Sequence, residues 1–132
     1  MVIRVKIMPN DISTVAKLIL IDYKKRVLFL KRSRKVEKHP NEWDLPGGHL
    51  HENESVLDGL KREVFEETGL TVENPLFITK IEKTHFFMAK YDSMPIKLSH
   101  EHKAYTFLNK KALNKEDKYQ NIALTVLEKT ND

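Results

Sequence analysis

Glu63, Glu66 and Glu67 stand at i, i+3 and i+4, between Arg62 and Gly69. On a helix that spacing gathers three carboxylates on one surface, where they repel one another. Oxygen ligands of this kind suit a hard divalent cation such as Mg2+ or Mn2+, with phosphate oxygens completing its shell. Just upstream, Gly47 and Gly48 form a turn signal with no side chains to obstruct a ligand. Metal-assisted chemistry on a phosphate is the reaction that these residue types allow. The competing reading is a solvated helix face, since Arg62 and Glu66 have the spacing of a surface ion pair.

The element carrying the glutamates decides between these readings. Ser55 to Thr68 reads as a helix, capped by Ser55 or Asn53 and ended by Gly69. At about 100° per residue, with Val56 at zero, Leu60, Val64 and Leu57 form an apolar stripe centred at about 60°. Arg62 and Ser55 lie on the opposite side, where solvent is expected. The glutamates do not: Glu66 falls at about 280°, Glu63 at about 340° and Glu67 at about 20°. Glu67 therefore lies at the edge of the buried stripe, with Glu63 beside it. A carboxylate pushed toward a core is costly unless something compensates it, which favours a bound cation. Gly59 falls on the same face and leaves the helix backbone open to close approach.

Other segments support or feed this helix. Thr14 to Ile21 and Val27 to Lys31 are β-branched, apolar runs joined by the polar turn Asp22 to Lys25, and they read as a hairpin. Arg32 to Glu42 is a basic loop carrying Arg32, Arg34, Lys35 and Lys38, which reads first as a solvated loop, with a phosphate-attracting lip beside the glycine turn as the sharper alternative. Trp43 to Gly48 is a short strand running into the glycine turn. Trp43, the single tryptophan, is expected as a core or edge aromatic, with base stacking as its second role. Leu76 to Tyr91 reads as one long strand or a bent pair broken at Thr84, and Lys103 to Leu108 as the last strand. Tyr119, Ile122, Ala123, Val126 and Leu127 have helical spacing behind a cap at Asn114 or Asp117. The pairs His49/His51 and His100/His102 could bind zinc, but contacts beside a metal or phosphate site are the expected role.

Composition bounds the function. A chain of 132 residues with 40% hydrophobic and 32% charged residues fits one domain over residues 1–132. The formal charge of +4 suits anionic ligands, yet no basic run with interleaved aromatics points to nucleic acid. The absence of cysteine excludes disulfides and thiolate catalysis. No segment reads as a signal peptide or membrane span, so a cytoplasmic protein is expected.

The acidic helix and its approach resemble the box of the Nudix hydrolase family. Gly48 is followed by five residues and Glu54, and seven more lead to Arg62-Glu63-Val64-Phe65-Glu66-Glu67-Thr68-Gly69-Leu70, matching every fixed position. The resemblance implies an α/β fold, a mixed β-sheet sandwiched between α-helices. It implies hydrolysis of a nucleoside diphosphate linked to a further group X, with Mg2+ or Mn2+ as cofactor and water attacking phosphorus. Carried over by position, Gly48, Glu63, Glu66 and Glu67 would hold metal, and Glu63 would also be the general base. Arg62 would orient a box carboxylate, and Glu54 would brace the loop. Glu101, just before the last strand, resembles the family's downstream acidic ligand and is the alternative to Glu63 as general base, since some members use a glutamate outside the box. Subfamily signatures depart here: His85 stands where the ADP-ribose group has proline, and Tyr91 lies too far along for the diadenosine-polyphosphate tyrosine. The short chain favours a small nucleotide, such as a nucleoside triphosphate or damaged nucleotide, as the expected substrate, and a homodimer is compatible with the family. The alternative is a Nudix-fold nucleotide-binding module without catalysis, which would be expected to lack a box glutamate; none is missing.

Overall fold

Residues 14–130 are described by the structure, a computed structural model. β1 (Val15–Ile21) is buried along nearly its whole length, as its continuous apolar run demands of a central strand. It pairs in parallel with β6 (Thr84–Lys90), from Val15–Thr84 to Ile21–Lys90. β5 (Leu76–Ile81) adds antiparallel to β6 as the outer strand. On the other side β2 (Val27–Arg32) pairs antiparallel with β7 (His102–Leu108). The result is one mixed, seven-stranded sheet.

The first hairpin forks. β1 and β2 pair at Ile21–Val27 and then diverge. Two short strands fill the gap: β3 (Trp43–Asp44) pairs with β2, and β4 (Gly47–His49) pairs with β1. The adjacent glycines thus belong to a strand and not to a turn, correcting the sequence expectation. Pairing with β1 extends the backbone there, and Gly47, at φ 123°, adopts a conformation that residues with a Cβ rarely take.

Alternation along the strands sends side chains to two cores. Ala16, Leu18, Leu20, Leu28 and Leu30 face Leu60 and Val64 of α1 (Val56–Thr68). Ile19, Ile21, Val27 and Phe29 face Ala123, Val126 and Leu127 of α2 (Lys118–Lys129). The mixed sheet is therefore sandwiched between helices, as expected. Both helix starts use their caps: Ser55 Oγ accepts from the Asp58 amide, and the Asp117 carboxylate accepts from the Tyr119 and Gln120 amides.

Two expectations need correction. Leu76 to Tyr91 is neither one strand nor broken at Thr84. It is a tight antiparallel hairpin turning at Glu82 and Lys83, with Glu82 at φ 55°. On α1, Leu57 is 39% exposed and does not belong to the buried stripe, which runs through Leu60, Val64 and Thr68. Among the described residues, no helix is long and apolar enough to cross a membrane.

Candidate active site

α1 lies against β4, and this contact brings the acidic residues to the glycines. Gly48 faces Glu63: a methyl group on Gly48 would stand 2.7 Å from Glu63 Oε2. The Gly47 amide donates to Glu67 Oε1 at 2.8 Å. A methyl on Gly47 would collide with the Ala16 carbonyl and stand 2.9 Å from Lys17 Cα. Glycine is thus required at Gly47 for the close β1–β4 pairing, while a side chain at Gly48 would displace the Glu63 carboxylate from beside the strand.

Arg62 ties the acidic residues together. Its Nε donates to Glu54 Oε2 at 2.7 Å, and Nη2 donates to Glu54 Oε1 at 3.1 Å. Nη1 reaches Glu63 Oε1 at 3.1 Å and both oxygens of Glu66 at 3.0 and 3.1 Å. Nη2 also donates to the His49 carbonyl at 3.1 Å. One guanidinium therefore spaces three carboxylates and fixes the strand beside them. Its hydrogen bond to Glu54 is the main cause that pulls the Glu54 pKa down to about 2, and the same bond leads in raising that of Arg62. Glu54 Oε1 also accepts from the His51 amide at 2.8 Å, so Glu54 braces the loop. Gly59 does not admit a ligand; Leu50 and Glu54 fill the space where its side chain would be.

The wheel ordered the glutamates correctly. The Glu66 side chain is 53% exposed and that of Glu63 18% exposed, while Glu67 is 6% exposed as a residue. Burial drives the Glu67 pKa up to about 8, although Lys17 and the Gly47 amide pull the other way. Such a carboxyl holds a proton near neutrality unless a positive charge displaces it. Hard oxygen donors against a bare glycine backbone, one of them buried and destabilised as an anion, fit a divalent cation. Among the described residues, no three His, Asp or Glu side chains are arranged as a finished ligand cage.

Lys17 and Asp44, which the sequence did not single out, lie next to this cluster, and His102, expected as half of a histidine pair beside a metal or phosphate site, is buried near Asp44. Lys17 Nζ, buried within the sheet, donates to Asp44 Oδ2 at 3.1 Å and to the carbonyls of Leu45 at 3.2 Å and Gly47 at 3.1 Å. Burial opposes its charge, but Asp44, Glu67 and Tyr119 outweigh burial and raise its pKa. A lone cation inside the run Val-Ala-Lys-Leu-Ile-Leu-Ile was the signal available. His102 is 5% exposed, and neither ring nitrogen has a hydrogen-bond partner. Burial, followed by Arg32 and Lys17, lowers its pKa against the pull of Asp44 and Glu101.

The remaining candidates are more dispersed. Arg32 turns inward, donating from Nε to the Lys38 carbonyl at 2.9 Å and standing 3.8 Å from Asp44. Arg34 and Lys38 are exposed on the loop. Trp43 is half-buried against the α2-side core, with Lys31 Nζ 5.6 Å from its ring centre. Glu101 is exposed at the start of β7, where its carbonyl accepts from the Ser33 amide at 2.8 Å. His49, His51 and His100 are exposed.

Several known proteins are similar to this chain. A segment of 46 residues is 48% identical to a human m7GpppN-mRNA hydrolase, NUDT17, covering 35% of this chain and 14% of that protein. A segment of 71 residues is 37% identical to an 8-oxo-dGTP diphosphatase of Buchnera aphidicola, covering 49% of this chain and 55% of that protein. The chain thus spans a small part of the first relative and about half of the second. The crystal structure of a MutT protein from Methanosarcina mazei shares the fold, with a TM-score of 0.69 at 23% identity over 90% of this chain and 94% of that one. A family model described as the NUDIX domain matches residues 12–123, and the chain belongs to that family.

Proposed function

We propose that the protein is a divalent-metal-dependent pyrophosphohydrolase that cleaves a nucleoside diphosphate linked to a further group. One observation carries this reading: Glu63, Glu66 and Glu67 are gathered by Arg62 and by the Gly47 amide against the Gly47–Gly48 backbone. The relatives named for m7GpppN-mRNA and 8-oxo-dGTP support a phosphate anhydride on a nucleoside as the bond cleaved.

The Gly48 carbonyl, Glu63, Glu66 and Glu67 would hold Mg2+ or Mn2+, with Glu101 as a further ligand from the start of β7. The metal, when bound, would neutralise charge on the phosphate oxygens and acidify a water. Glu63 takes the proton of the attacking water as that oxygen bonds to phosphorus and the bridging P–O bond breaks. Arg62 holds the Glu63 and Glu66 carboxylates apart and in place, and Glu54 in turn holds Arg62. Arg34 and Lys38, free on the loop, attract the outer phosphates, and Arg32 with Trp43 shapes the loop base. The substrate is a small nucleotide, and the cysteine-free chain suits the cytoplasm.

Turnover on a panel of nucleoside triphosphates, oxidised nucleotides and dinucleotides, with and without Mg2+ or Mn2+, tests the proposal. Metal-dependent release of pyrophosphate or nucleoside monophosphate is expected. Glu67→Gln should lower kcat by at least about a hundredfold, since metal-mediated charge stabilisation is worth several kcal/mol. No turnover of any substrate would favour the binding-module reading instead.

A further inference from the structure

We propose that Lys17 is a positioning residue that holds β4 in the geometry needed for metal binding. The inference rests on the metal-dependent reading of the box glutamates. Lys17 lies on β1 and contributes none of the box residues. Its three hydrogen bonds all go to the segment from Asp44 to Gly47, the link between β3 and β4. The fork between β1 and β2 leaves that link without a continuous strand partner, because β3 pairs with one arm and β4 with the other. The Leu18 amide donates to the Pro46 carbonyl at 2.8 Å, and the Lys17 ammonium fastens the link on either side of that bond.

The consequence for the site is direct. Gly47 is gripped from both ends: its carbonyl accepts from Lys17 Nζ and its amide donates to Glu67 Oε1. Gly48, whose carbonyl is a candidate ligand, follows immediately and lies against Glu63. Rotation of the Gly47 peptide would shift the Gly48 carbonyl and the Glu67 carboxylate together. An apolar side chain at position 17 would fill the strand but remove all three bonds, leaving the link on the Leu18–Pro46 backbone bond and Asp44 with Arg32 at 3.8 Å. The partly buried Asp44, left with only the more distant Arg32, would also be driven to move or to protonate.

Mn2+ affinity, measured on the purified full chain by electron paramagnetic resonance of free Mn2+, tests this alongside thermal stability. Lys17→Met should weaken Mn2+ binding at least about tenfold, the usual effect of losing a partner that orients a ligand. Lys17→Met/Asp44→Asn leaves no charge buried alone, so it preserves the fold where the single variant fails. It should show the same weakening. A purely structural Lys17 would lower Tm in these variants and leave Mn2+ affinity of the folded protein within twofold of wild type; that result overturns the inference. Glu67→Gln separates the two levels. If it binds Mn2+ like wild type, the ligand assignment of the box falls, and this inference with it. If it weakens binding while both Lys17 variants do not, only the role of Lys17 falls.

Discussion

Replacing Arg62 with methionine removes the hub of the acidic cluster while keeping most of the side-chain volume. Arg62 is 22% exposed in its side chain and Glu54 only 14%, so their two-pronged contact is shielded from water. A Glu54 carboxyl held near 2 instead of 4.5 is worth at most about 3 kcal/mol, and solvent around the cluster reduces this to about 2 kcal/mol. Glu63 and Glu66 add their mutual repulsion once the guanidinium is gone. At about 4 °C per kcal/mol for a domain of this size, Arg62→Met should melt about 8 °C below wild type at pH 7 without metal. The pH dependence gives a second check. The folded state holds Glu54 ionised more tightly than the unfolded chain does. The stabilisation is therefore complete above pH 4.5 and disappears as the pH falls toward 2. The gap between the two proteins should narrow over that range when followed by circular dichroism. A gap under about 2 °C at pH 7, or one unchanged at pH 3, would refute the reasoning.

Other perturbations follow from the same geometry. Glu67, raised to about 8, makes the folded state bind its proton more tightly than the unfolded chain. Metal-free protein should therefore lose stability as pH rises from 4.5 toward 8, and Glu67→Gln should flatten that decline in thermal melts. Gly59→Ala gains about 1 kcal/mol of helix propensity, yet its methyl would overlap the buried Leu50 side chain. A lower Tm is expected, where propensity alone predicts a higher one. Gly47→Ala should cost more than about 3 kcal/mol, read by chemical denaturation, because both its φ and the Ala16 carbonyl oppose a side chain. Ser55→Ala should cost about 1 kcal/mol through the lost cap on the Asp58 amide.

The acidic helix was legible because its periodicity, cap and C-terminal glycine all agree, and because burial of Glu67 follows from angle alone. Leu57 misled for the opposite reason: the wheel counts apolar residues but cannot know that the sheet covers only the Leu60–Val64 side. The β5–β6 turn carried no glycine, proline or asparagine, so Glu82 and Lys83 gave no local sign of a reversal. The two glycines read as a turn because their real use is tertiary: one fits against β1 and the other against a carboxylate. Lys17 carries no local sign of its role, because a single cation does not disturb the strand pattern of the apolar run around it. Its partners, the carbonyls of Leu45 and Gly47, lie almost thirty residues away, and no spacing rule connects them.

The parallel pairing of β1 with β6 bears on how the protein folds. Val15 meets Thr84, and the whole acidic helix with its glycine strand lies in the chain between them. Closing such a long connection is entropically costly and slows folding, and local contacts of α1 cannot replace it. β4 has β1 as its strand partner, but β1 is itself secured mainly along β6. The glutamates therefore reach this arrangement only once a strand made well after them has docked, so slow refolding and late recovery of the proposed metal binding should appear together.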